Sequence, residues 1–447
     1  MATGLEEVVL GREDGSYEQA RRRTMWNART PERFPELIVQ ARDSEDVIRA
    51  VLLARERGLR LAVRSGGHSW AGNHVRDGGV LLDVSALDGA MIDPAARMAA
   101  IGPGCRGTDL LARLADHDLF FPAGHCVGVA LGGYLLQGGF GWNGRVHGPA
   151  CQSVRAIDVV TAAGELVRAD AEHHPELYWA ARGSGPGFFG VVTCFHVELQ
   201  PRPKVMATGV HSYPIELLDE IFAWVHELGP RVPRTMELMV LIHRDEAGEP
   251  EIAVTGPVLA DSEAQARAAL SLLESCPALG RAKISVPYVP VSFEDLFAGS
   301  AAIYPDEHRW VTDNMWTHAP VAELLPGLHR IAETLPESPS HMLWLNWGES
   351  PPRPDMAYSV EDETYIACYG ASADPARDAA TAEWATERMR EMEDLSSGIQ
   401  LADENLGRRP ARFVSDANLR RLDEIRAGYD PDGLFHPWMG RPFAAAR

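Results

Sequence analysis

Apolar residues recur along the chain in two rhythms. Short apolar runs at residues 37–40, 59–63, 80–84, 98–101 and 154–161 predict strands. Residues 189–199 alternate, the pattern of a strand with one face buried. Between the first two runs, Val47, Ile48, Val51 and Leu52 fall on one face of a helix that Ser44 caps and Gly58 ends. Further helices are predicted at 108–115 and 175–182. A strand, a helix and a strand ahead of a glycine turn is a nucleotide-binding arrangement on general grounds. Pro201 and Pro203 then mark a boundary.

From about 204 to 400 the pattern changes. Helical faces at 216–228, 262–274, 321–335 and 381–392 alternate with strand-like runs at 235–242, 251–258, 341–347 and 364–369. That predicts an α+β unit, a sheet with helices on one side. One more helix, at 418–426, precedes Tyr429-Asp430-Pro431.

The chain has 447 residues, room for two or three domains, and its 45% hydrophobic content supplies a substantial core. A formal net charge of −21 argues against nucleic acid as a partner. Basic residues are nearly all arginine, with lysine only at Lys204 and Lys283, and the triplet Arg21-Arg22-Arg23 reads as a solvated helix face. Cys105, Cys126, Cys151, Cys194, Cys276 and Cys368 show no zinc or C-x-x-C spacing and read as buried free thiols, Cys126 apart. No metal motif occurs, and His173-His174 reads as a solvated loop. Residues 1–10 carry two glutamates and no basic, apolar leader, and no run is long enough to span a membrane. A cytoplasmic protein is the expectation. Oligomeric state is not legible.

Two glycine-rich stretches interrupt the periodic segments. The first is Arg64-Ser65-Gly66-Gly67-His68-Ser69-Trp70. Its glycines permit a sharp turn, close approach to a ligand and converging backbone N–H groups. The second runs from Pro122-Ala123-Gly124-His125-Cys126 through Val129, Gly132 and Gly133 to Gly139-Phe140-Gly141-Trp142. Glycine among apolar residues implies backbone packed on a flat ligand. Gly139 to Gly144 matches G-x-G-x-x-G, but a dinucleotide fingerprint needs a strand before it and a helix after it, and neither is predicted.

Together these stretches resemble the FAD-linked oxidases of the berberine bridge enzyme-like group, within the vanillyl-alcohol oxidase superfamily. The resemblance continues through Gly148-Pro149-Ala150-Cys151 and Val191-Val192-Thr193 and resumes at Tyr429 to Phe435. It implies a two-part FAD-binding domain of the PCMH type plus a substrate domain, an antiparallel sheet covered by helices. The domain plan is 1–204 for FAD (PCMH-type about 33–204), 205–400 for substrate, and 401–447 returning to the FAD domain. It also implies FAD attached twice, through His68 to the 8α-methyl carbon and through Cys126 to C6. Cys126 needs thiolate character, which exposed backbone N–H groups favour and His125 assists. Arg64, Ser65, Gly66, Gly67, Ser69, Gly124, Val129, Gly132, Gly133, Gly139, Trp142, Gly148, Val192, Phe435 and Trp438 complete the expected flavin contacts. Val129 corresponds to a position where, in plant relatives, a small side chain leaves O2 a path to the flavin. The expected partners are O2 and a moderately large organic substrate, a secondary metabolite or a saccharide. A dehydrogenase with another acceptor and an oxygenating or cyclising enzyme stay open.

The substrate side departs from the resemblance. Many relatives carry Tyr-x-Asn before the chain returns to the FAD domain, and the tyrosine is the base. Here Gln400 and Ala402 stand at those positions, and glutamine cannot accept a proton near neutral pH. Asp403, Glu404, Tyr358, Tyr365 and His318 are the remaining candidates for the base. Asn314 with Trp316, and Trp344 with Asn346, share strand faces. They read equally as core and as an aromatic-lined pocket. Gln400, Asp403, Tyr358, Asn314 and Asn346 are the expected substrate-side residues.

Overall fold

The structure is a computed structural model that describes residues 7–348 and 350–441. The segment 1–10, read above for a leader, lies mostly outside them. Two larger sheets and a two-stranded one, Leu119–Phe120 with Gln200–Pro201, build the first part. Leu37–Gln40 and Leu61–Arg64 both run parallel to Val80–Asp83, with Val9–Gly11 added at one edge. The helix Ser44–Glu56 connects the two parallel strands. Its cap is Asp43, not Ser44: the Asp43 carboxylate accepts from the Asp46 amide. The second sheet is antiparallel, in the order Ala90–Asp93, Met98–Ile101, Val191–Glu198, Val154–Val160, Leu166–Ala169. The C-terminal segment returns here. Leu61 donates to Leu434, and His436 donates back to Leu61, so Phe435 extends the first sheet beside Leu61.

Arg21 is not solvated. It is buried, held by Glu18 and by the Pro31 carbonyl.

The chain from Val205 to Ser372 forms one eight-stranded antiparallel sheet. Its order is Val258–Ala260, Val205–Pro214, Pro250–Thr255, Met239–Arg244, His341–Asn346, Thr364–Ser372, Arg309–Thr317, with Ile284–Pro290 also paired to Val205–Pro214. Alternation gives the sheet two faces. Val240, Ile242, Ile252, Val254, Met342 and Trp344 are fully buried beneath the helices Leu218–Leu228, Val321–Thr334 and Asp378–Glu391. Met239, Leu241, Ala253 and Leu343 point the other way, toward the first part, and stay half-buried.

Candidate active site

A cavity of about 740 Å³ lies between that second face and the loops of the first part. The strand Leu61–Arg64 delivers the loop 65–69 to it. Gly67 turns with φ +71°, and a Cβ there would stand 2.0 Å from the Thr24 carbonyl oxygen, so no other residue fits. Arg64 does not reach into the cavity as a free cation. Its guanidinium donates to Asp83, to Thr24 and to Gly66, and thereby fixes the loop. Ser65 accepts from the Gly133 amide at 3.1 Å and ties the two glycine stretches together. Among the described residues, the amides of Gly66, Gly67 and His68 donate to no backbone carbonyl. Part-buried backbone donors need partners, and converging ones suit an anion or a ring carbonyl.

His68 stacks on Trp26 at 4.3 Å, and its Nε2 lies 3.2 Å from the Val127 carbonyl oxygen. That bond assigns the proton to Nε2 and leaves the Nδ1 lone pair available. Burial holds the imidazole down at about 4, so it is neutral near pH 7. Cys126 sits across the same cavity. The expectation of thiolate character is not met, because burial pushes the thiol up to about 12. The Ser300 hydroxyl, 3.6 Å from Sγ, donates to it and opposes the shift. His125 turns away, to Glu237 at 2.9 Å and the Trp142 ring.

The remaining flavin-side expectations divide. Ser69, Gly124, Val129, Gly132, Gly133, Trp142, Val192 and Phe435 line the cavity with the residues above. Gly139, Gly148 and Trp438 do not. Gly139 packs against Ala150 and Tyr134, Gly148 against Gln152, and the Trp438 indole covers Gly187 while its N–H donates to Ser184.

On the substrate side one carboxylate dominates. Asp403 is reached by the Trp70 indole N–H at 2.6 Å, by the Tyr369 hydroxyl at 2.7 Å and by the Tyr365 hydroxyl. All four residues line the cavity. Burial raises the Asp403 carboxyl above the ordinary carboxylate range, against the three hydrogen bonds and a distant attraction to His125. Gln400 also lines the cavity, but its Oε1 caps the Ala402 amide. Asn314 is a clamp. It accepts from the Gln400 amide at 2.8 Å and donates to the Asp403 carbonyl at 2.7 Å.

Tyr358 and Asn346 are outside. Tyr358 packs on Gly138 and Gly183 with Cys151 and Met356. Asn346 donates to Gly229, and its neighbour Trp344 stacks edge-on with Phe222 beneath the helices. Neither side chain lines the cavity. Glu404 is bound to Asn73 and the Leu406 amide, and His318 is exposed beside Asp362. Trp316 joins the cavity-side aromatics, near Phe140 and Tyr365. The sequence reading missed Tyr369 and the role of Trp70. Tyr365 and Tyr369, four apart on a predicted strand, share a face, and that spacing was available as a signal.

A two-part fold with glycine loops opposite a half-covered sheet defines a flavin-binding oxidoreductase. Residues 35–170 match the FAD binding domain family. The chain is 30% identical to FAD-linked oxidoreductase janO of Penicillium janthinellum over 93% of each chain. In structure it superposes on 6-hydroxy-D-nicotine oxidase of Arthrobacter nicotinovorans with a TM-score of 0.84 at 24% identity, covering 98% of each chain. On a Physcomitrella patens berberine bridge enzyme-like protein the TM-score is 0.83 at 19% identity, covering 96% of this chain and 95% of that one. The chain therefore belongs to the FAD-linked oxidoreductases, and it is an FAD enzyme. Among the described residues no helix is long and apolar enough to cross a membrane.

Proposed function

We propose that this enzyme is an oxidase that holds FAD through two covalent bonds, to His68 and Cys126, and uses O2 as electron acceptor. The observation that carries it is that both side chains line one cavity with Asp403, Tyr365 and Tyr369. The unpartnered amides of Gly66, Gly67 and His68 and the flat, glycine-lined loops suit the flavin. FAD, when bound, supplies the two-electron acceptor for a substrate hydride. The chain's own residues supply position and proton transfer. His68, neutral and with its Nδ1 lone pair free, would hold the flavin through its 8α carbon. Ser300 donates to Cys126 and favours the thiolate that a thioether needs. Asp403, as carboxylate, takes the proton that leaves the substrate hydroxyl or amine, and Tyr365 and Tyr369 orient it. Val129 lines the cavity, where a small side chain keeps a path for O2. The division at 204 and 400 stands as the proposed domain plan.

Acid precipitation tests the attachment. The wild-type pellet is expected to keep its flavin, the single variants His68→Ala and Cys126→Ala to keep it through the other bond, and the double variant to release it. Wild-type protein that yields all its FAD to the supernatant removes the reading.

A further inference from the structure

We infer that the substrate is an elongated, largely apolar molecule whose reacting hydroxyl or amine end lies at Asp403. This rests on the functional reading above and names its substrate class. The strand register supplies the argument. Tyr365 stands opposite Leu345, Leu345 opposite Met239, Met239 opposite Thr255, and Thr255 opposite Val210. Leu343, Leu241 and Ala253 form the adjacent row. All of these residues line the cavity. Four strand spacings separate Tyr365 from Val210, so the floor runs about 19 Å from the Asp403 cluster.

That floor has little to offer a polyhydroxylated ligand. The Thr208 and Thr255 hydroxyls pair with each other at 3.2 Å, and the unpartnered His341 Nε2 stands at the Asp403 end, opposite Tyr369. His243 Nδ1 faces the Arg244 carbonyl at 3.1 Å, and the Arg244 guanidinium donates to Leu335, Pro336 and Gly248. A sugar lying here would lose water from hydroxyls that find no partner. An alkyl or fused-ring body would instead cover the half-buried Met239, Leu241 and Leu343. Val291, Leu296 and Ile303 add apolar surface from the segment and helix across the cavity. At the end of that floor where Tyr365 and Tyr369 converge, the carboxylate facing the cavity is Asp403. An apolar strip continuous with one proton acceptor selects a long molecule with one polar end.

The test uses straight-chain 1-alkanols, hexanol to decanol, titrated by calorimetry into the flavin-loaded protein. Kd is expected to fall about three- to fourfold per added methylene, the transfer free energy of a CH2 expressed as a ratio. Xylobiose is expected to give no binding. A Cβ on Gly299 would meet nothing within 4 Å, and Gly299 lines the cavity. Gly299→Phe therefore adds a ring at the cavity wall with no clash at its Cβ, and is expected to weaken decanol at least tenfold and hexanol less. Leu241→Asn is expected to flatten the chain-length dependence. An affinity independent of chain length in the wild type, or xylobiose bound more tightly than decanol, overturns the inference. Because the readout is heat of binding, it survives Asp403→Asn, so loss of turnover in that variant and loss of the chain-length slope report on separate claims.

Discussion

Two aspartates face opposite sides of the loop at 400–405, Asp313 buried and Asp403 half-buried, and they do different work. Asp313 lies behind it. The Arg409 guanidinium grips both its oxygens, with Nε 3.1 Å from each and Nη2 2.5 Å from Oδ1. Asn405 donates at 3.0 Å and the Asn314 amide at 2.8 Å. Asp403 lies in front of the loop and receives only uncharged donors, from Trp70, Tyr365 and Tyr369. Burial pushes both carboxyls up; at Asp313 the guanidinium opposes the shift at contact distance, and at Asp403 hydrogen bonds from neutral donors and a distant attraction to His125 do. A fully compensated carboxylate holds structure. One that is desolvated, oriented by neutral donors and open to a cavity is kept ready to exchange a proton.

Asp403→Asn makes the sharpest break. The amide keeps the shape and removes the proton acceptor, so turnover of a substrate found by flavin bleaching is expected to fall about 10²–10⁴-fold. Flavin retention and melting temperature should change little. The pH profile carries the sign. Only the carboxylate accepts a proton, and its folded-state pKa is raised, so wild-type kcat/KM should climb with pH along a limb above the ordinary carboxylate range. The same shift makes stability fall as pH rises through that window, because the unfolded chain gives up its proton first. Stopped-flow flavin reduction across pH measures the limb. An Asn variant that keeps wild-type reduction rates would show that Asp403 is no base.

Arg409→Met acts on the other carboxylate. Removing the guanidinium leaves Asp313 buried beside uncharged donors, at a cost of about 3–5 kcal/mol. The measurement is chemical denaturation of variant against wild type, and the expected midpoint falls steeply. The acid limb set by Asp403 should stay in place in whatever fraction remains folded. If the limb moves as well, the two carboxylates are coupled through Asn314, and the division between them fails.

The two halves of the site were unequally legible. His68 and Cys126 were readable because glycine is a local code: Gly67 is required by its own φ and by the Thr24 carbonyl beside it, whatever the rest of the chain does. The parallel strands and the helix between them were equally visible, being periodic and capped, apart from the one-residue shift from Ser44 to Asp43. The substrate side is written in pairings distant in sequence. Asp403 becomes special only because Trp70 and Tyr369, 333 and 34 residues away, converge on it. Likewise Trp344 and Trp316 look alike in the sequence, and only the strand register sends one under the helices and the other to the opposite sheet face, against Tyr365. The helix Phe293–Ile303, which brings Ser300 to Cys126, went unread altogether. Its first turn carries a Ser292–Asp295 capping box, a sequence signal that could have found it.

Gln400 is where the comparison can be refined most finely, because it belongs to neither carboxylate and touches the setting of both. Its amide donates to Asn314 Oδ1 at 2.8 Å, and Asn314 donates onward to the Asp403 carbonyl. Its Oε1 caps the Ala402 amide, so the side chain holds the short turn that presents Asp403 and has no proton to take or give. Gln400→Ala removes this cap and is expected to cost about 0.5–2 kcal/mol, the range for losing a side-chain cap. The turn then loosens, and turnover should drop less than tenfold while the acid limb stays where Asp403 sets it. Gln400→Asn brings an acceptor near but one methylene short, and should recover part of the stability. Thermal unfolding with kcat/KM across pH separates the outcomes. A limb that shifts in Gln400→Ala would mean that the glutamine tunes the base directly. A loss of turnover as large as that of Asp403→Asn would mean that it holds the substrate itself, and the site would then centre on position 400 and not on position 403.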